Sequence, residues 1–129
     1  MNGTQEKRIP GNLLIEPREE FEFDDLLDEK NQWVFRLTNL GSHTLAWLTV
    51  INNWKLLDVY PPCGLLRPSE SVEAYVCCEF TESVTGCRSR DHISFQWTEV
   101  DDSLTEFDRS VFDGDVIIRR QSVIIKYNF

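Results

Sequence analysis

NQWVFRLTNLGSHTLAWLTVI, residues 31–51, is the stretch whose periodicity decides the fold. Trp33, Phe35 and Leu37 alternate with Val34, Arg36 and Thr38, the period of a half-buried strand. LGSH at 40–43 reads as a turn. TLAWLTVI at 44–51 is apolar at most positions, which predicts a central strand. Leu45, Trp47, Thr49 and Ile51 would form one face, and Ala46, Leu48 and Val50 the other.

The same grammar extends outward in both directions. Short extended runs are expected at LLI (13–15, stopped by Pro17), FEF (21–23), LLDVY (56–60), VEAYVCCEF (72–80), HISFQW (92–97) and SVIIKYNF (122–129). In the run 72–80, Val72, Ala74, Val76 and Cys78 share a face. NNWK reads as a turn, and YPPCGLLRPSE at 60–70 cannot be a central strand. Pro61 and Pro62 remove two backbone donors there, and Gly64 loosens the chain. The acidic stretch 98–115 is expected to hold a helical turn around Leu104 to Phe107. Seven or eight short strands with no sustained helical period predict an all-β sandwich and exclude an α/β fold.

A length of 129 residues suits one domain, read as a loose tail at 1–9 followed by a domain at 10–129. The formal charge is −9 and is unevenly placed. Residues 1–30 carry nine acids against four bases, and residues 99–115 carry seven acids against Arg109 alone. The last fourteen residues carry Arg119, Arg120 and Lys126 with no acid. An acidic chain is repelled by phosphate backbones and anionic lipid, so nucleic acid and membrane surface are poor default partners, and with no stretch near the ~20 apolar residues of a transmembrane helix no direct membrane insertion is expected. The start, MNGTQEKRIPGN, has no apolar run after its charges, so no secretory signal is expected. Reduced cysteines and the cytosol are then the expected setting.

No constellation of catalytic residues stands out. His43 falls in a predicted turn and His92 at a strand start, and nothing brings either to Ser71, Ser94 or Asp91. GDVIIRR lacks the glycine spacing of a phosphate cradle. Cys77, Cys78, Cys87 and His92 could be drawn as a zinc set. Adjacent strand residues point apart, however, and the CxxC spacing is missing, so buried cysteines acting as small hydrophobes are expected instead. The chain is therefore read as no enzyme, with no metal and no cofactor. Trp54 and Lys55, in the NNWK turn, are candidate partner contacts. Trp54 either folds inward or stays out as an anchor.

The stretches RLTNLGSHTLAWLTVINNWKLLDVYPPCGLLRPSESV, HISFQWTEV and FDGDVIIRRQSVIIKYNF resemble nematode major sperm protein, from about Pro10 to the last residue. Its specific marks are PPCG at 61–64 followed by Pro68, the Trp97–Thr98 pair, and Asp113, Gly114, Arg119, Arg120, Tyr127 and Asn128 in order. The resemblance implies an immunoglobulin-like sandwich of seven strands, with cis bonds at Pro17 and at Pro61 or Pro62. It also implies a cytoskeletal subunit of crawling sperm, which binds no nucleotide and assembles from dimers into filaments in the pseudopod. Expected partners are the chain itself and other sperm cytoskeletal proteins. Acidity sets this chain apart from the abundant sperm subunit, and surplus acids weaken self-association unless basic ends meet acidic loops. The alternative is a fibre regulator or adaptor. In the similar VAP proteins the same domain binds acidic peptides through a basic groove, and Arg36 and His92 fall near two of its lysines. Arg36, Trp54, Lys55 and His92 are thus the candidate partner-binding residues.

Overall fold

The computed structural model describes residues 9–18, 20–23, 32–52, 57–78 and 91–127. These form nine strands. They are β1 (Leu13–Glu16), β2 (Glu20–Phe23), β3 (Gln32–Asn39), β4 (Leu45–Ile51), β5 (Leu57–Tyr60), β6 (Cys63–Leu66), β7 (Ser71–Cys78), β8 (Asp91–Glu99) and β9 (Arg119–Tyr127). One sheet has the order β1-β3-β7-β5, and the other β2-β9-β8-β4-β6. Pairing is antiparallel except between β2 and β9.

Nine strands agree with a seven-stranded sandwich because two of the seven are split between the sheets. The chain leaves β1 in the first sheet and enters β2 in the second around a cis Glu16–Pro17 bond. It repeats the move from β5 to β6 around a cis Tyr60–Pro61 bond, so Pro61 rather than Pro62 carries the expected feature. Each sheet edge is one of these split pieces, four residues long.

The alternation in the sequence becomes the core. Ile15, Phe35, Leu37, Val59, Ala74 and Val76 of the first sheet face Leu45, Trp47, Ile93, Phe95, Val123 and Ile125 of the second, and all are buried. Phe35 and Phe95 meet across the sheets edge to face, with ring centroids 5.2 Å apart. Such geometry adds to the gain from burial because the ring edge is positive and the ring face negative. Gly64 does more here than loosen a strand. It pairs with Trp47 across β4 and β6, and a Cβ on it would lie 3.2 Å from the indole Nε1. The glycine makes room for the ring.

Two expectations need correcting. Trp33 remains 41% exposed although it alternates onto the same side as the buried Phe35 and Leu37. The helical turn falls at Arg109–Phe112 rather than at Leu104 to Phe107. Asp108 decides this, since its carboxylate accepts from Ser110 N at 2.9 Å and caps that turn. Ala46 and Leu48 are buried like Leu45 and Trp47, so the start of β4 is covered on both faces, as expected of a central strand apolar at most positions.

Asn39, fully buried at the end of β3, joins two of the crossings between sheets. Its side-chain amide donates to His43 O and Leu66 O, both at 2.9 Å, and its Oδ1 accepts from Gly41 N at 2.8 Å. Its backbone N–H donates to Glu70 O, and its carbonyl accepts from Ser69 N. Replacing Asn39 with Ala leaves two carbonyls and one N–H without this partner. We expect Asn39→Ala to lower unfolding stability by about 2–4 kcal/mol. Urea titration checks this, and a loss below the scatter of surface variants would contradict it.

Candidate partner-binding surfaces

The candidate residues do not share one surface. Arg36 points outward from β3, between the buried Phe35 and Leu37, and belongs to the four-stranded sheet. His92 points outward from β8, between the buried Asp91 and Ile93, and belongs to the five-stranded sheet. They lie on opposite outer faces, so they cannot line one groove. A period of two tells inside from outside but carries no information about which sheet a strand joins. Trp54 and Lys55 lie outside the described residues. The segment bearing them follows Asn52, which is tied to His92: His92 N donates to Asn52 Oδ1 at 2.9 Å.

Arg36 has neighbours on this face that its own strand does not reveal. Across β1, β3 and β7 the register sets Glu16, Arg36 and Glu73 side by side. In the adjacent outward row, Val34, Tyr75 and Tyr60 are neighbours across β3, β7 and β5. These three remain 40%, 37% and 73% exposed. Tyr75 donates its hydroxyl to Glu73 Oε2 at 3.1 Å, and this neighbouring carboxylate raises the phenol pKa. The signal was present in the sequence. Tyr75 falls between the core positions Ala74 and Val76, so alternation alone sends it outward.

The acidic stretch is a structural element more than a free charge. Arg67 Nη2 donates to Leu104 O at 2.7 Å, and Nη1 donates to Asp102 O and to Thr44 Oγ1. Asp102 Oδ1 accepts from Thr44 N at 2.8 Å, and its Oδ2 lies 3.1 Å from His43 Nδ1. The Thr44 N–H bond first, and then His43, hold the Asp102 carboxyl down at about 2. Bonds from Ser103 lower Asp101, and bonds from Ser110 lower Asp108. Of the basic residues near the C-terminus, Arg119 bonds Pro10 O and Asn12 Oδ1 and lies over Trp97. Lys126 pairs with Glu20 at 3.0 Å.

The zinc drawing fails on geometry. Cys77 is exposed and Cys78 buried on successive positions of β7, while His92 faces out of the other sheet. Cys87 lies outside the described residues, and among the described residues no three His, Cys, Asp or Glu side chains cluster as a metal site. The expectation that the cysteines are buried hydrophobes holds for Cys78 and fails for Cys77. Burial, with the Asp91 charge second, pushes the Cys78 thiol up to about 12. Among the described residues no helix is long and apolar enough to cross a membrane.

The profile of the MSP (Major sperm protein) domain matches residues 12–115. Major sperm protein isoform beta of Ascaris suum is 33% identical over 120 residues, which cover 92% of this chain and 94% of that protein. Major sperm protein 2 of Onchocerca volvulus is 32% identical over the same shares. Among solved structures, WR4, a C. elegans MSP family member, superposes with a TM-score of 0.67 at 13% identity, covering 91% of this chain and 98% of that one. The YadV chaperone superposes with a TM-score of 0.62 at 12% identity, covering 90% of this chain and 51% of that one. Likenesses at such identities concern the fold alone.

The Asp102 pKa gives a pH prediction with a definite sign. A carboxylate whose folded value is depressed contributes stability that is present above its unfolded value, 3.8, and lost as pH falls through about 2. Wild type should therefore melt above Asp102→Asn at pH 5, and the gap in Tm should close as the pH approaches 2. A gap that is independent of pH across this window would contradict the assignment.

Proposed function

Because the chain belongs to the major sperm protein domain family, we propose that it works by associating with copies of itself, first into dimers and then, through a second contact, into filaments. The family is one of structural and protein-interaction domains, and the chain is not an enzyme. One observation supports the assembly reading above the others. Arg36 lies on one outer face and His92 on the opposite one. A closed two-fold contact makes a dimer, and only a second, separate contact that does not close extends it. A molecule with candidate contacts on two opposed faces suits that requirement better than one with a single groove.

By family, the setting is the cytoplasm and cytoskeleton of nematode sperm, in the pseudopod, with other sperm cytoskeletal proteins as further partners. The charge of −9 favours a second reading, in which the chain regulates the fibre or binds another protein without polymerising.

Sedimentation of the purified protein from micromolar to millimolar concentration, at two salt levels, separates the two readings. Self-assembly predicts a dimer that grows into larger species, promoted by salt because screening weakens the repulsion between acidic copies. A monomer at every concentration and salt level overturns self-assembly and leaves the binding module. Trp54→Ala should weaken self-association by about 2 kcal/mol, and normal assembly by this variant would remove Trp54 from the partner surface.

A further inference from the structure

We infer that the outer face of the four-stranded sheet is the closed, two-fold contact, and that Arg36 of each copy meets Glu73 of the other across it. This rests on the self-association reading and names the surface it uses. The face carries a row of charges in the order acid, base, acid: Glu16, Arg36, Glu73, one on each of three neighbouring strands. Among the described residues no ion pair ties Arg36 to either acid within the chain. In an isologous contact, whatever residue i offers residue j is returned by symmetry. A row of this kind, turned about a two-fold axis and shifted by one strand, sets both arginines against acids of the other copy. Two reciprocal Arg36–Glu73 pairs form at once.

The adjacent row supplies what charge pairs at a rim do not. Val34, Tyr75 and Tyr60 form a contiguous exposed stripe beside the charges. Tyrosine and arginine are the residue types that most often carry binding energy at protein contacts, where their apolar bodies lose water and their polar tips find partners. Burying this stripe against its own copy removes apolar surface from water, and the flanking charges fix the register. Four strands of at most eight residues present roughly 500 Å² of flat face. That is less than the ~800 Å² per partner of a standard stable complex, so the contact should be weak and should depend on concentration. Cys77, outward on β7 and opposite Asp58 of β5, borders the stripe on the side away from Arg36.

Bulk charge argues the other way at one position, which makes the test sharp. Glu73→Arg changes the net charge from −9 to −9 + 2 = −7. If general repulsion decided association, this variant would dimerise more tightly. Reciprocal pairing predicts the opposite.

The experiment is sedimentation equilibrium of the full chain and its variants, with melting temperature as the control for folding. The wild-type dimer is the reference. Arg36→Glu and Glu73→Arg should each raise the dimer dissociation constant at least tenfold. Combining Arg36→Glu with Glu73→Arg should bring it back to within about threefold of wild type. Tyr60→Ala should weaken the dimer at least fivefold without lowering the melting temperature. Should Arg36→Glu fail to fold, Arg36→Gln replaces it, with a weakening of about threefold expected. If wild type dimerises and none of these variants changes the constant, the dimer uses another face, and the inference falls while the self-association reading stands. Failure of the double variant to recover, or tightening by Glu73→Arg, also overturns the pairing. A wild type that is monomeric at every concentration removes both.

Discussion

A single buried carboxamide, that of Asn39, holds together the end of the sandwich on which the other contacts depend. A two-sheet domain shares one core only if the chain repeatedly crosses from sheet to sheet, and each crossing takes backbone groups out of their ladders. Two such crossings meet at Asn39, the one from β3 to β4 and the one from β6 to β7. Its side chain satisfies carbonyls on both, while its own backbone bonds reach Glu70 and Ser69. With that junction fixed, Leu40 N bonds Asn12 O, and Arg67 is placed to hold the acidic segment. An apolar residue of similar size would fill the space but leave the crossings without partners.

The acidic segment shows how composition alone misleads about binding. A run with seven acids invites the picture of a charged tether seeking a basic partner. In the folded chain Asp101, Asp102 and Asp108 instead accept bonds from nearby N–H and hydroxyl groups, and Arg67 clamps two carbonyls of the same segment. Arg119 and Lys126 are likewise engaged within the chain. These carboxylates stay ionised and exposed, but their positions are fixed by bonds within the chain. What remains for recognition lies on the flat faces of the sheets, where alternation places side chains without regard to net charge.

The alternation of 31–51 and 72–80 made the core legible, because burial on one side of a strand forces a period of two. Phe35, Leu37, Ala74 and Val76 fall where that pattern sends them. Two kinds of information were not legible. The sheet to which a strand belongs depends on pairing with residues far away in sequence, so Arg36 and His92 could look like neighbours while lying on opposite faces. Local capping is the other kind: the helical turn followed the carboxylate of Asp108 and passed over the apolar spacing of Leu104 and Phe107. The face around Arg36 was half legible. Its charge drew notice, but Tyr60, Tyr75 and Glu73 become a surface only once β5 and β7 are laid beside β3.

All four sheet edges are strands of four residues, while the strands of seven to nine residues lie inside the sheets. An unpaired edge is a template for another chain, and its hazard grows with its length. With its outer strands broken at Pro17 and Pro61 and each half passed to a different sheet, the molecule presents, among the described residues, only edges of four residues. Short edges of this kind are one of the devices by which sheet proteins avoid edge-to-edge stacking when crowded.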